Sequence, residues 1–197
     1  MKKIIIATHN SHKLKEFNDM LLPLGYEAIS LFHLNYFEEI EETGTTFSEN
    51  SYIKAKTIYD KFHEAVIADD SGLSVDALNG LPGVYSHRYS GEGATDKSNR
   101  LKLIDELSKI KDKPRTARFI CDITYIDSEK VIKTEGIIEG EIILEERGDN
   151  GFGYDPIFYL KEYDKTVAEL PEAEKNKISH RHNALIKLIE ELKKWEY

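Results

Sequence analysis

Two adjacent carboxylates, Asp69 and Asp70, are the first residues of this sequence to suggest chemistry. They follow an apolar run at 66–68, typical of a buried strand, and we expect that strand to end at them because Ser71 and Gly72 signal a turn. Paired acids at such a point suit Mg²⁺, which prefers hard oxygen ligands and keeps waters that phosphates can replace. Successive side chains of an extended chain point to opposite faces, so the two carboxylates should have different roles. A solvated turn with a capping aspartate is the alternative.

A lysine in the first turn of a predicted helix marks a second candidate site. Residues 3–8 predict a buried strand, and the apolar residues that follow the next polar loop recur at helical spacing. Lys13 then lies at the positive end of the helix dipole, so we expect an anion nearby. Thr8, Asn10 and the unpaired amides of that turn are suitable phosphate ligands. In the alternative interpretation, Asn10 or Ser11 merely caps the helix and Lys13 is solvated.

Aromatic residues separated by glycine form a third candidate site at 151–156. Phe152 and Tyr154 alternate with Gly151 and Gly153 and do not follow the period of a core-facing element. An aromatic ring on a backbone that can approach a ligand closely is a candidate platform for stacking a base. Anchoring of a turn in the core is the alternative, and for Tyr154 both interpretations stay open.

A polar cluster at 175–181 supplies hydrogen-bond donors just before and inside the first turn of the last predicted helix. His180 and His182 are two residues apart, so they do not share a helix face and make a poor metal pair. We therefore interpret the cluster as donors to a ligand. Nucleophile chemistry has no support, because Cys121 lies in a strand-like pattern with no activating residue beside it and no serine lies in an elbow motif.

The composition limits the partners and the setting of the protein. The chain has 197 residues and a formal net charge of −9, which disfavours nucleic acid and still permits a small anion in a cleft. Cys121 is the only cysteine, so no disulfide can form within the chain, and the cytoplasm is the expected compartment. The apolar run at 4–8 is too short for a signal peptide or a membrane span, so no membrane association is expected.

An α/β fold must position these residues. Early strand–helix alternation favours parallel pairing, whereas the stretches 115–127 and 131–144 predict a hairpin, so we predict one α/β domain, residues 1–197, with a mixed sheet. Residues 157–159 predict a short strand and 160–179 a long polar connection. Four helices are predicted. The first carries Leu14, Phe17 and Leu21, and the second begins with Thr46 and Glu49 and runs to about Phe62. Thr95 begins the third, which carries Leu101, Ile104 and Leu107, with Leu103 and Ile110 as further candidates, and the last runs from about His180 with Leu185, Leu188, Ile189 and Leu192 on one face.

Five motifs resemble those of the inosine triphosphate pyrophosphatase family in order and spacing, over nearly the whole chain. Each motif alone is weak, and their common order makes the resemblance specific. They are THNSHK at 8–13, TFSEN at 46–50 with Lys54-Ala55, ADDSGL at 68–73, FGYDP at 152–156 and SHR at 179–181, along with PGVYS at 82–86 and Arg88-Tyr89.

The resemblance implies an elongated mixed sheet flanked by helices, two lobes with the active site in a central cleft, Mg²⁺ as cofactor and a homodimer. It also implies the roles of residues. The residues that match the triphosphate site are Thr8, Asn10, Lys13, Lys54 and Ser71. Glu41 and Asp70 match the metal site, and Asp70, with Asp69 beside it, matches the catalytic site. The residues that match the base and ribose site are Phe152, Gly153, Tyr154, Asp155, Lys175, His180 and Arg181.

The implied activity is hydrolysis of non-standard purine nucleoside triphosphates (ITP, dITP, XTP and dXTP) to the monophosphate and pyrophosphate, which cleanses the nucleotide pool. A donor such as Arg181 or His180 would pair with the carbonyl at position 6 of hypoxanthine or xanthine and confront the amino group of adenine. Two alternatives stay open: a pyrophosphatase for other modified or pyrimidine nucleotides, and a non-catalytic nucleotide-binding regulator, which would not need the aspartate pair.

The sequence departs from the family pattern at one position and leaves another ambiguous. His9 stands where many members have glycine, and it is flanked by the matching Thr8 and Asn10. In the acidic run at 38–42, Glu41 is chosen over Glu42 because of its distance from Gly44, so the metal ligand could shift by one residue.

Overall fold

β-Branched and aromatic residues form the seven strands of a single sheet. The computed structural model describes residues 1–194, apart from the side chain of His12. The strands are β1 (Lys2–Ile6), β2 (Tyr26–Ser30), β3 (Val66–Val75), β4 (Thr116–Ile126), β5 (Val131–Ile142), β6 (Phe158–Leu160) and β7 (Lys165–Thr166), in the spatial order β2-β1-β3-β4-β5-β6-β7. Strand β1 pairs in parallel with β2 and β3, whereas β6 pairs antiparallel with β5 and β7, so the sheet is mixed.

Capping boxes begin two of the helices in the described part of the chain. The helices are α1 (Ser11–Leu21), α2 (Phe47–Phe62), α3 (Asp96–Ser108), α4 (Glu172–Ile178) and α5 (His180–Lys193). Thr46 caps α2 in a capping box with Glu49, and Thr95 caps α3 in a capping box with Ser98. After α1, a short 3-10 turn ends at Gly25, whose φ of +82° suits a residue without a Cβ atom.

The chain divides into two compact units. The first unit comprises Met1–Asp70, Cys121–Gly136 and the described part of Asn183–Tyr197. Its core has two clusters that follow the alternation of β1 and β3. Ile67 packs with residues of α1 and α5 in one cluster, whereas Ala68 packs with Ala55 and Ile58 of α2 in the other. Helices therefore cover both faces of the sheet in this unit.

The second unit comprises Ser71–Ile120 and Ile137–His182. Its core joins Leu73 of β3, Leu103 and Leu107 of α3, and Phe119 and Phe158 of the sheet. The rings of Phe119 and Phe158 lie 4.4 Å apart between centroids, tilted by 30°. This core supports α3 and the glycine-rich loop that precedes β6.

Several predicted elements are confirmed. The second helix begins after Thr46 and ends at Phe62, and the last helix begins at His180. Leu185, Leu188 and Leu192 are buried, as the amphipathic pattern predicted. The stretches that predicted a hairpin are β4 and β5, which neighbour each other and are joined by a short turn at 127–130.

Other predictions are wrong. The strand at 66–68 does not end at the aspartates but continues to Val75, because Ser71 and Gly72 stay extended and Leu73 and Val75 are buried in the core. On α3, the prediction is wrong for Leu101, which is exposed, whereas Leu103 and Leu107 are buried and Ile104 and Ile110 are partly buried against the core. The sequence analysis also missed β2, and the supposed polar connection at 160–179 contains β7 and α4.

Candidate functional site

Strand β3 directs the two aspartates to different partners. Asp69 shares its face with Ile67, where its Oδ2 atom lies 2.8 Å from Nζ of Lys13. Asp70 shares the opposite face with Ala68, where its carboxylate accepts a hydrogen bond from Nδ2 of Asn50 at 3.1 Å. Because the strand continues through both residues, its two-residue period separates the carboxylates. The two carboxylates therefore have different partners, whereas the difference in their roles stays a prediction.

The ion pair between Lys13 and Asp69 is almost completely buried, with side-chain exposures of 10% and 1%. The thiol of Cys121 also contacts Oδ2 of Asp69, at 3.9 Å. Lys13 lies in the first turn of α1, and the sequence predicted an anion beside it. Asp69 is such an anion within the protein itself. Breaking a pair this buried leaves an uncompensated charge, so each residue holds the other in place.

The loop before α1 is stabilised by its own side chains. Oγ1 of Thr8 accepts a hydrogen bond from the amide of Asn10 at 3.1 Å. Oδ1 of Asn10 in turn accepts one from the amide of Lys13 at 3.2 Å, as an N-cap residue does. The capping alternative is thus correct for Asn10, whereas the solvated alternative is wrong for Lys13, which is 8% exposed.

His9 connects this loop to the segment that leads to the acidic run. Its Nε2–H group donates to the carbonyl oxygen of Tyr36 at 2.9 Å. Its ring stacks on that of Tyr36 at 6.3 Å and meets the edge of Phe32 at 5.2 Å. The residue that departs from the family pattern therefore has a packing role.

Lys54 of α2 binds two carboxylates. Its Nζ atom lies 3.0 Å from Oε1 of Glu42 and 3.4 Å from Oδ1 of Asp70. Burial alone would lower the pKa of Lys54, but Asp70, Asp69 and Glu42 outweigh it, so the pKa is raised and the lysine stays charged.

Burial raises the pKa of Asp70 above the usual value of an aspartate. The nearby carboxylate of Glu42 adds to this increase, whereas Lys54 and the hydrogen bond from Asn50 oppose it. A carboxylate with a raised pKa is a better proton acceptor than an ordinary one.

The structure favours Glu42 over the predicted Glu41 as the acid of this cluster. Glu42 contacts Lys54, whereas Glu41 is exposed. The run at 38–42 has no regular secondary structure, so no period in the sequence could tell which of two neighbouring glutamates points inward. Glu42 is therefore the glutamate of this run that contacts the cluster, whereas the identity of the metal ligand stays a prediction.

The acids of this cluster suit a magnesium ion in their chemistry. Among residues 1–194, no three histidine, cysteine or acidic side chains are grouped closely enough to hold a metal by themselves. Glu42 and Asp70 nevertheless bind one common cation, the ammonium group of Lys54. Magnesium needs only one or two protein carboxylates when waters and phosphates complete its shell. The donor set therefore fits.

In the second unit, the glycine-rich loop folds around the carboxylate of Asp155. Its Oδ2 atom accepts hydrogen bonds from the amide of Phe152 at 2.9 Å and from Nζ of Lys175 at 2.5 Å. The same ammonium group lies 4.5 Å from the centre of the Phe152 ring. Gly151 has a φ of +79°, and a Cβ atom there would collide with the Asp155 carboxylate.

The two aromatic residues of this loop have opposite environments. Phe152 is 37% exposed, whereas Tyr154 is 5% exposed. The hydroxyl of Tyr154 donates to the carbonyl oxygen of Ser86 at 2.8 Å, and burial raises its pKa. The core-anchoring interpretation is therefore correct for Tyr154, and Phe152 is the ring available for stacking.

The predicted donors of α5 lie in its first turn. Arg181 is 3% exposed, and its Nη2 atom lies 3.4 Å from Oγ of Ser71. The ring of His180 stacks on Phe119 at 5.1 Å between centroids. Burial of a guanidinium, which always carries its charge, is costly unless its donors are satisfied, so polar contacts such as the one with Ser71 stabilise Arg181 at this position.

Three residues that organise these clusters were not among the predicted site residues. Asn50, which lies in the TFSEN motif, is four residues before the predicted Lys54 on α2, and both side chains contact Asp70. That spacing was available in the sequence once the helix was predicted. Asp96 and Arg100 of α3, which bind the backbone of Gly153, also have this spacing, but no local signal connected them to a loop more than fifty residues away.

A groove of about 710 Å³ in the second unit is separate from these clusters. It is lined by residues of β5, β6 and the turn after β6, and it contains none of the predicted site residues.

In the described part of the chain, no helix is both long enough and apolar enough to span a membrane.

The sequence is similar to those of a known family. A sequence model of the Ham1 family matches residues 4–191. A Bacillus subtilis protein named dITP/XTP pyrophosphatase is 53% identical over 189 residues, which cover 95% of this chain and 96% of the relative. A protein of the same name from Oceanobacillus iheyensis is 50% identical over 197 residues, which cover 99% of this chain and 98% of the relative.

The fold is similar to solved structures of the same family. A HAM1 protein from Coxiella burnetii superposes with a TM-score of 0.92 at 42% identity, over 98% of this chain and 100% of that one. A Mycobacterium abscessus protein described as a nucleoside-triphosphatase / dITP/XTP pyrophosphatase superposes with a TM-score of 0.79 at 41% identity, over 95% and 98% of the two chains. The predicted α/β fold with a mixed sheet flanked by helices is confirmed.

Proposed function

The chain belongs to the Ham1 family, and from this premise we propose that it hydrolyses non-standard purine nucleoside triphosphates (ITP, dITP, XTP and dXTP) to the monophosphate and pyrophosphate. The activity named for its relatives supports this proposal. The observation that carries it is the network of two lysines and three acids, Lys13 with Asp69 and Lys54 with Glu42 and Asp70, in which all members except Glu42 are buried. A protein that only bound nucleotides would not need buried carboxylates beside a phosphate site.

We propose that Glu42 and Asp70 hold Mg²⁺, which would neutralise phosphate charge when bound. Asn50 donates to Asp70 and so fixes the orientation of that carboxylate. Lys54 contacts both acids and is therefore positioned beside any phosphate that binds there. Outer partners of this kind tune a metal site because they restrict its ligands.

Asp70 accepts the proton of the attacking water in this proposal. The water oxygen forms a bond to the α-phosphorus as the bond to the bridging oxygen of pyrophosphate breaks. Burial raises the pKa of Asp70, which favours its carboxylate as the proton acceptor in this step.

The lysines stabilise the charge that accumulates on the departing pyrophosphate. Asp69 holds Lys13 in the first turn of α1, next to the amides of the Thr8 and Asn10 loop. An interaction that strengthens as charge develops lowers the barrier more than it strengthens substrate binding. Asp69 in this scheme orients Lys13 and does not itself contact the reacting atoms.

The second unit recognises the base in this proposal. Phe152 stacks on the purine, with Lys175 and Asp155 fixing the ring from behind. The buried guanidinium of Arg181 and the ring of His180 supply donors that match a carbonyl at position 6. An amino group there would leave a buried donor unpaired. Each unpaired donor costs about 1–3 kcal/mol of binding free energy, and this cost discriminates against adenine.

The test is pyrophosphate release from ITP, XTP, GTP and ATP, with and without Mg²⁺. We expect fast, metal-dependent release from ITP and XTP and slow release from GTP and ATP. Binding of ITP without turnover would support a nucleotide-binding regulator instead. Equal turnover of all four nucleotides would retain the chemistry and contradict the base site.

We also propose that the protein works in the cytoplasm as a homodimer. The lone cysteine supports a reducing compartment, and the family resemblance supports the dimer. Light scattering coupled to gel filtration should give twice the mass of the chain, and a monomer that retains full activity would contradict the assembly.

A further inference from the structure

Gly153 is held by two charged side chains of a single helix. Oδ2 of Asp96 accepts a hydrogen bond from the Gly153 amide at 2.8 Å. Nη1 of Arg100 donates to the Gly153 carbonyl oxygen at 2.7 Å. Both polar groups of this residue are therefore bound by side chains, although the backbone groups of a surface loop ordinarily find water.

Arg100 is fixed by a second contact. Its Nε and Nη2 atoms bind both carboxylate oxygens of Glu146, at 3.0 and 3.3 Å. Its side chain is 13% exposed. This fork geometry is specific to a guanidinium and leaves Nη1 directed at the carbonyl oxygen of Gly153.

The helix that carries these residues is firmly anchored. The capping box of Thr95 and Ser98 begins α3. Oδ1 of Asn99 accepts a hydrogen bond from the amide of Ser90 at 2.7 Å, and its Nδ2 donates to the carbonyl oxygen of His87 at 3.0 Å. Asp96 and Arg100 are thus attached to a rigid support, which functional loops require.

Gly153 lies between Phe152 and Tyr154, which differ in burial. Its φ is +59°, a left-handed conformation that glycine adopts without strain. On one side Tyr154 is anchored in the core, and on the other Phe152 presents its ring to solvent. The loop has no strand pairing at this point, so the contacts of Asp96 and Arg100 with the Gly153 backbone act together with those of Asp155 and Lys175 in fixing the ring of Phe152.

We propose that Asp96 and Arg100 are positioning residues for base recognition, which they perform by fixing the Gly153 backbone and through it the ring of Phe152. This inference rests on the proposed function, since it assumes that Phe152 stacks on the purine. Neither residue contacts the reacting atoms. Their loss should raise KM for ITP and weaken selection against ATP, whereas kcat at saturation should change little.

The closing experiment uses four variants of the full chain. Asp96→Ala removes the acceptor of the Gly153 amide, whereas Asp96→Asn keeps an oxygen at the same position. Arg100→Met keeps the aliphatic stem and removes the fork. Lys97→Ala, at an exposed neighbour on the same helix turn, is the control. Each variant is assayed for KM and kcat with ITP and ATP and for hydrogen exchange of the peptide spanning 148–156.

We expect Asp96→Ala and Arg100→Met to speed exchange in this peptide about tenfold and to raise KM for ITP about tenfold. Asp96→Asn and Lys97→Ala should resemble the wild type. Unchanged exchange in Asp96→Ala would overturn the proposal, as would faster exchange with an unchanged KM, which would show a purely structural contact. The exchange measurement needs no turnover. An inactive wild-type protein would therefore refute the proposed function, whereas the exchange rates would still test whether Asp96 and Arg100 fix the Gly153 backbone.

Discussion

In the first unit, ion pairs link two lysines to three acids at the candidate site, whereas in the second unit the ion pair of Lys175 with Asp155 acts together with backbone hydrogen bonds and ring contacts. Lys13, Lys54, Asp69 and Asp70 are buried, and Glu42 is partly exposed. In the second unit, Asp155 and α3 hold a glycine-rich loop mainly by its peptide groups. Phosphate chemistry needs charges at fixed positions, whereas base recognition needs a shaped surface.

Because of this difference, variants of the proposed phosphate site and variants of the proposed base site should lose activity in different ways. Removing a charge from the first unit leaves its partner uncompensated, which affects stability as well as turnover. Distorting the loop of the second unit misplaces Phe152 but leaves the chemical groups intact. Variants of the first unit should therefore change kcat, and variants of the second unit should change KM.

The largest effect should come from Asp70→Asn, which removes the proposed base and metal ligand without changing the shape of the side chain. We expect kcat for ITP to fall about 10³-fold. The fold should persist, because burial already raises the pKa of Asp70 and a neutral side chain relieves that cost. Pyrophosphate release and circular dichroism measure the two expectations. Asp105→Asn, in an exposed pair with Lys109, is the control, and a folded Asp70→Asn variant that retained a tenth of wild-type kcat would contradict the role.

A charge deletion in the buried pair should come next. Lys13→Met leaves the carboxylate of Asp69, only 1% exposed, without its partner, so we expect a loss of about 3 kcal/mol in unfolding free energy and an approximately 10²-fold loss of kcat.

Adding Asp69→Asn to Lys13→Met separates these two losses. The double variant should recover most of the stability but none of the activity, because the unpaired charge is gone while the phosphate ligand is still missing. Urea unfolding and steady-state kinetics of both variants measure the recovery. Restored activity would show that Lys13 acts only on the fold.

In the second unit, Gly151→Ala should affect binding of the base. The new Cβ atom would collide with the Asp155 carboxylate, which holds Phe152 and Lys175. We expect KM for ITP to rise about tenfold, consistent with the loss of one base-stacking contact, while kcat changes little.

Gly25→Ala is the matched control for this change. Gly25 has a similar φ of +82°, but nothing lies within 4 Å of a Cβ atom built there, so this variant carries the backbone strain without the collision. A drop in kcat for Gly151→Ala as large as that of Lys13→Met would contradict the division of labour between the units.

The smallest effect concerns Asp122, a partly buried acid of the first unit. Burial raises its pKa, the carboxylates of Glu135 and Asp70 raise it further, and the resulting pKa is about 6. The pKa in the folded state exceeds that in the unfolded state, so the folded protein loses stability as pH rises from about 4 to 6. Asp122→Asn should therefore raise Tm by about 2–4 °C at pH 7.5. The gain should disappear below pH 4.

Asp127→Asn offers a control of opposite sign. Burial would raise the pKa of Asp127, but hydrogen bonds from Tyr125 and the Glu129 amide outweigh it, so the pKa is lowered. Its charged form stabilises the fold above the unfolded pKa, and that contribution is lost as pH falls. This variant should lower Tm at pH 7.5. Differential scanning fluorimetry in EDTA from pH 4 to 7.5 measures both, and equal shifts for the two variants would refute the electrostatic explanation.

Local signals in the amino-acid sequence were sufficient to predict several elements and motifs. Thr46 and Glu49 predicted the start of α2 because a capping box is formed within one helical turn. The five motifs predicted the family, and the period-two rule predicted that Asp69 and Asp70 would differ. The predicted strand end failed because burial of Leu73 and Val75 in the core overrides the turn tendency of Ser71 and Gly72.

The partners of these residues follow from the tertiary structure. In it, Lys13 pairs with Asp69, Glu42 rather than Glu41 contacts Lys54, and Tyr154 is buried whereas Phe152 is exposed. Asp96 and Arg100 contact Gly153, which lies more than fifty residues away in the sequence. Such contacts join residues far apart in the chain, and their formation depends on the direction in which each backbone segment points its side chains. Sequence spacing specifies that direction inside a helix or strand and leaves it undetermined in the loops where most of these residues lie.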